Sequence, residues 1–166
     1  MRPVLFIALM PFSLALAAPV QRFSARPFNG ANVILLRAHR ETAGESVRRL
    51  AAVSQRLGYA VDSLNEDRLV TAARPVGPTR NGSPAPALYR LRAFVAAKGG
   101  GGTTLMLWGT LQFTDASGRL VERTMRWDGP RDQSPAAACF GHAQQLAQAF
   151  PAEQLLSLRY TKQKGW

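Results

Sequence analysis

Cys139 and His142 stand three residues apart in the alanine-rich stretch 134–150. On a helix that spacing puts both side chains on one face, where a thiolate and an imidazole could form a nucleophilic pair. A lone cysteine among alanines is as much at home as a small buried hydrophobe. Neither of the local signatures that mark cysteine hydrolases surrounds it. Lys98-Gly99-Gly100-Gly101-Gly102-Thr103-Thr104 has the residue types of a phosphate loop in the wrong order, since that loop needs Gly-Lys-Ser/Thr opening a helix. Gly44-Glu45-Ser46 lacks the closing glycine of a nucleophile elbow. His39 and His142 are the only histidines, and neither has a metal-ligand spacing to a carboxylate pair. The five Asp and five Glu fall mostly where turns and caps use them. These residues point away from an enzyme, imply no cofactor and offer no metal site.

A binding chemistry is better supported. Residues 88–98 alternate, with Tyr89, Leu91, Ala93, Val95 and Ala97 on one face; residues 103–114 alternate with Leu105, Leu107, Gly109, Leu111 and Phe113 on one face. Matching apolar faces predicts a hairpin with Val95 opposite Leu107, Leu91 opposite Leu111 and Tyr89 opposite Phe113, joined by Gly100-Gly101-Gly102. The same argument pairs Phe113 with Val121 and Leu107 with Trp127. It leaves Ala116-Ser117-Gly118 as the next loop, with Gly118 left-handed and Asp115 facing Arg119. The other face of this meander then sets Phe94 opposite Trp108, Trp108 opposite Arg126, Arg92 opposite Thr110, Arg90 opposite Gln112 and Gln112 opposite Glu122, with Ala96 and Met106 extending its apolar part. Antiparallel sheets commonly keep one face on the core and one in water. Arg90, Arg92, Phe94, Trp108 and Arg126 are therefore the candidate binding residues, of the types enriched at binding hot spots and suited to stacking. The structural alternative is that cross-strand aromatics and Arg over Trp merely stabilise the sheet. On the core side, Gly109 opposite Ala93 either opens room for a small apolar ligand or lets a helix approach closely.

Residues 32–39 read as a strand. Thr42 with Glu45 makes a capping box, Val47, Leu50, Ala51, Ser54 and Leu57 form one helical face, and Gly58 stops the helix. Residues 59–64 and 68–74 read as strands around Asn65-Glu66-Asp67. Residues 75–86, with four prolines, read as a loop that carries the Asn81-Gly82-Ser83 sequon. After a loop from Asp128 to Gln133, Ser134-Pro135 opens a second helix running to about Phe150. For 155–161 a strand is favoured over a continued helix.

The stretch from Thr42 to Thr71 runs helix, Gly58-Tyr59, Val61, then Asp67, Leu69 and Thr71. This resembles small exported α+β envelope domains of bacteria, including those of the accessory lipoprotein of the outer-membrane β-barrel assembly machinery. The resemblance implies a helix-grip-like layout, with helices across an antiparallel sheet. It covers about thirty residues, all structural. Arg68 stands where the pattern often has glycine, and there is no lipid-attachment cysteine.

Met1-Arg2, the uncharged apolar run 4–16 and Ala15-Leu16-Ala17 read as a secretory signal peptide cleaved near Ala17. The run is too short for a bilayer span and no second one follows, so an integral membrane protein is not expected. The expected organisation is a signal peptide (1–17), a flexible leader (18–31), one α+β domain (32–161) and a mobile tail (162–166). Lys plus Arg is 21 against 10 acidic residues. That excess favours acidic partners, although 18 of the 21 are Arg, scattered as in GC-rich coding. A single cysteine excludes an internal disulfide.

The sequence thus predicts a basic, exported α+β protein, periplasmic or extracellular. Five to seven antiparallel strands carry two helices on one face, in the order β-α-β-β-β-β-β-α with a final strand. It is read as a non-enzymatic module binding an envelope protein or anionic envelope component; nucleic acid is not favoured, and oligomeric state is not encoded. A carrier of a small apolar ligand is the alternative, and a Cys139–His142 enzyme the third reading.

Overall fold

A computed structural model describes residues 23–39, 41–76, 87–98, 102–152 and 155–163. The expected signal peptide, the sequon and the glycines 99–101 lie outside the described residues.

The fold is α+β, with every strand pair antiparallel. In chain order it runs β1 (Phe23–Ser24), β2 (Val33–His39), α1 (Ala43–Arg56), β3 (Val61–Leu64), β4 (Arg68–Thr71), β5 (Arg74–Val76), β6 (Ala87–Lys98), β7 (Gly102–Thr114), β8 (Leu120–Thr124), α2 (Pro135–Gln148) and β9 (Leu155–Thr161). The sheet order is β1-β9-β2-β7-β6-β4-β3, with β5 also on β6 and β8 also on β7. The count exceeds the predicted five to seven for two reasons. The predicted strand 68–74 is two strands, the second reaching into the expected loop as Arg74-Pro75-Val76. Part of the expected leader is also tied to the sheet: Phe23–Ser24 pairs with β9, and Ala31 bridges Trp127. At the other end Gln163 exchanges hydrogen bonds with the Asn32 side chain.

Both helices cover one face. Thr42 caps α1 and Glu45 returns to the Thr42 N–H. Val47, Leu50 and Ala51 go into the core, whereas Leu57, at the C-cap, is exposed. Ser134 caps α2 ahead of Pro135, and Cys139, Phe140, Ala143, Leu146 and Ala147 face the sheet. Beneath them lie Tyr89, Leu91, Ala93, Val95, Leu105, Leu107 and Leu111, all buried. A polar knot ties α1 to the sheet: Ser46 Oγ donates to Glu41 Oε2 (2.7 Å) and lies 2.8 Å from Thr103 Oγ1, while Arg49 pairs with Glu41.

The face assignment of the central hairpin holds, but its register does not. Val95 is opposite Leu105, Ala93 opposite Leu107, Leu91 opposite Gly109 and Tyr89 opposite Leu111, and the ladder continues to Lys98–Gly102. Gly102, predicted to be in the loop, is therefore paired in the ladder, and every pair is displaced by two residues from the prediction. A two-residue slip keeps each side chain on its face, so apolar matching could not detect it. The second hairpin has the predicted register: Phe113 pairs with Val121 and Gln112 with Glu122, Gly118 has φ 81°, and Asp115 pairs with Arg119.

Two long strands form the spine, and each lends one edge to two shorter strands. On β7, β2 occupies 102–107 and β8 occupies 110–114 of the same edge. The β8 ladder therefore stops at Thr124, apart from a Met125 N–H to Gly109 O bond. Leu107 pairs with Ile34, not Trp127, and Trp127 turns to Ala31.

Candidate functional site

The outer face of the sheet, opposite the helices, is assembled by cross-strand register. One row reads Arg159 (β9), Leu35 (β2), Met106 (β7), Phe94 (β6) and Arg68 (β4), each opposite the next. The neighbouring row holds Trp108, Arg92 and Val70, and beyond it Thr110 stands opposite Arg90. On the other side Ser157, Arg37, Thr104 and Ala96 form a row. Strand spacing of about 4.8 Å puts Arg159 and Arg68 about 19 Å apart, with three apolar residues between them.

Four of the five predicted residues share this face, with altered neighbours. Phe94 is opposite Met106, not Trp108; Trp108 is opposite Arg92, not Arg126; and Arg90 is opposite Thr110, not Gln112. Phe94, Trp108, Arg90 and Arg92 are all half-buried. Arg68 lies over the Phe94 ring, 5.7 Å from its centroid, and 3.7 Å from Asp67. Arg90 donates to Asp62 at 2.9 Å. Arg92 is different: its Nε is buried without a hydrogen-bond partner, and among the described residues it has no ion pair. An unmet charged donor is costly in a protein surface layer unless something supplies an acceptor.

Arg126 does not join them. Its N–H turns to Ala136 O at the start of α2, and its guanidinium pairs with Asp128. It lines a groove of about 840 Å³ between the β7–β8 hairpin and the loop before α2, with Leu111, Phe113, Arg123, Arg131 and Asp132. The reason is edge competition: β2 takes the β7 edge from Gly102 to Leu107, so β8 must leave before reaching Trp108.

Sequence reasoning missed Arg37, Arg68 and Arg159. Arg37 and Arg159 are exposed and, among the described residues, have no ion pair. Alternation within β2 and β9 could place each on a face, but only long-range pairing places those faces beside Phe94 and Trp108.

The Cys139–His142 pair is drawn into packing. Burial pushes the Cys139 thiol up to about 12, away from the thiolate form that a nucleophile uses. Its Sγ fills the space over Gly109, where an added β-carbon would overlap it. Gly109 faces Leu91 rather than Ala93, and its missing side chain admits α2 instead of leaving room for a ligand. His142 stacks on Tyr89 at 4.9 Å and meets Tyr59 edge-on at 6.5 Å, while Arg74 caps the Tyr59 ring at 4.6 Å. Burial, then the Arg74 charge, holds the His142 pKa below its ordinary value.

Among the described residues no three His, Cys, Asp or Glu side chains form a metal-holding group, and no helix is long and apolar enough to cross a membrane. No family model matches the chain, and no curated protein matches it.

Proposed function

We propose that this is a non-enzymatic exported envelope protein that binds a protein partner or envelope component through the outer sheet face. The observation that carries the reading is Arg92, whose buried Nε has no acceptor beside Trp108 and in the row next to Phe94. A ligand carboxylate or phosphate would pair with the half-buried Arg92 guanidinium, which has no ion pair among the described residues, and the flanking aromatics would supply apolar contact. Export rests on the N-terminal sequence, and the envelope setting on the resemblance of residues 42–71. The test is recovery of cross-linked partners from the native envelope. Phe94→Ala with Trp108→Ala should abolish the adducts; unchanged recovery would sink the proposal.

The carrier reading loses its predicted place at Gly109, which Cys139 fills. Among the described residues, the groove between the β7–β8 hairpin and the start of α2, lined by Leu111, Phe113, Arg123 and Arg131, is another place for it.

A further inference from the structure

We infer that the occupant of the outer face is the surface of an anionic, phosphate-bearing lipid bilayer, an inference that rests on the binding role proposed for that face. Five arginines share the face: Arg37, Arg68, Arg90, Arg92 and Arg159. The acidic groups at its rim are already engaged. Asp62 pairs with Arg90, Asp67 lies beside Arg68, and Glu122 accepts from Gln112. Arg37, Arg92 and Arg159 are left without an acidic partner among the described residues. The face therefore carries a net positive charge that its own side chains do not cancel.

The arrangement of that charge selects the partner. The cations surround an apolar centre of Leu35, Met106, Phe94 and Trp108 on several sides, across about 19 Å of sheet. A single acidic peptide would meet a line or pocket of cations; a charged plane meets a spread of them. Guanidinium forks match phosphate oxygens bidentately. Trp and its apolar neighbours suit the headgroup level, where amphipathic aromatics collect. Basic residues at an anionic membrane surface each contribute about a fivefold gain in binding, equivalent to ~1 kcal/mol.

The experiment uses the protein recovered after export, with sedimentation against phosphatidylglycerol vesicles and phosphatidylcholine vesicles. It should bind the first in low salt and not the second, and raising salt should release it as the charges are screened. Arg37→Gln with Arg159→Gln should weaken binding about 30-fold, because two such contributions multiply. Both side chains are exposed, so the fold should stay intact, which circular dichroism checks. Arg48→Gln with Arg56→Gln removes the same charge from exposed positions on α1 and should change binding by less than about threefold. Equal binding to both vesicle types, or equal losses in the two double variants, would overturn the inference. Absence of vesicle binding, with protein adducts still lost in the Phe94/Trp108 variant, would overturn the lipid surface and leave the face. Vesicle binding unaffected by any outer-face variant would overturn both.

Discussion

Gly109→Ala tests the packing that separates a closed core from a ligand-carrying one. The added methyl overlaps Cys139 Sγ and comes within 3.3 Å of Leu91 Cδ2 and 3.4 Å of Arg90 O. Leu91 can turn slightly, but Arg90 O belongs to the ladder and cannot yield without loss of a backbone bond. The strain therefore falls on α2, which must retreat from the sheet. Overpacking of this kind costs about 1–3 kcal/mol, and an outright overlap belongs at the upper end. For a domain of this size ~3 kcal/mol lowers Tm by about 6–12 °C. Cys139→Ala alone deletes one buried heavy atom and should cost about 1 kcal/mol. In the double variant the new methyl occupies the vacated space, so the loss should be about 2 kcal/mol rather than the ~4 expected by addition. Urea unfolding of the four proteins measures that coupling of about 2 kcal/mol, with unchanged m values confirming a comparable unfolding reaction. Additivity within about 0.5 kcal/mol would refute the contact, and a stabilising Gly109→Ala would show an open cavity there.

Other outcomes follow from the buried groups. Because the His142 pKa is lowered in the fold, the unfolded chain holds more protons below about pH 6.5, so stability should be full above that value and fall as pH drops through it. Urea midpoints at pH 7.5 and 5.5 should differ in the native protein and converge in His142→Phe; equal slopes would contradict the assignment. The Cys139 thiol should resist a disulfide reagent at pH 8 until urea is added, and rapid labelling of the folded protein would restore the nucleophile reading. Ser46→Ala removes the hydroxyl shared by Glu41 and Thr103 and should cost about 1–3 kcal/mol by leaving a buried carboxylate short of a donor. Serine-to-alanine without measurable loss would show that water replaces it.

The elements were legible where a local pattern had only one reading. Thr42 with Glu45, Ser134 with Pro135, and Gly118 in its turn each satisfy a backbone need that few other residues meet. Alternation gave the correct faces of β6 and β7 but only even-or-odd register, because shifting Leu107 from Val95 to Ala93 still pairs apolar with apolar. The glycines from 99 to 102 accept either loop position, so turn chemistry could not break the tie. The site was half legible for a related reason. Arg90, Arg92, Phe94 and Trp108 lie on adjacent strands of one hairpin, within reach of local argument. Arg37 and Arg159 arrive from strands 53 and 51 residues away from Arg90 and Trp108 respectively in sequence, through pairings that neither periodicity nor capping specifies. Arg126 was misplaced because nothing local reveals that β2 competes with β8 for one edge of β7.

The central claim is that the outer sheet face, and not the helix face, meets the partner. A photo-cross-linking side chain at Thr110, half-buried on the outer face opposite Arg90, should form adducts in the intact envelope, whether with lipid or with protein. The same side chain at Arg48, exposed on α1, should form none. Adducts from Arg48 with none from Thr110 would contradict the account.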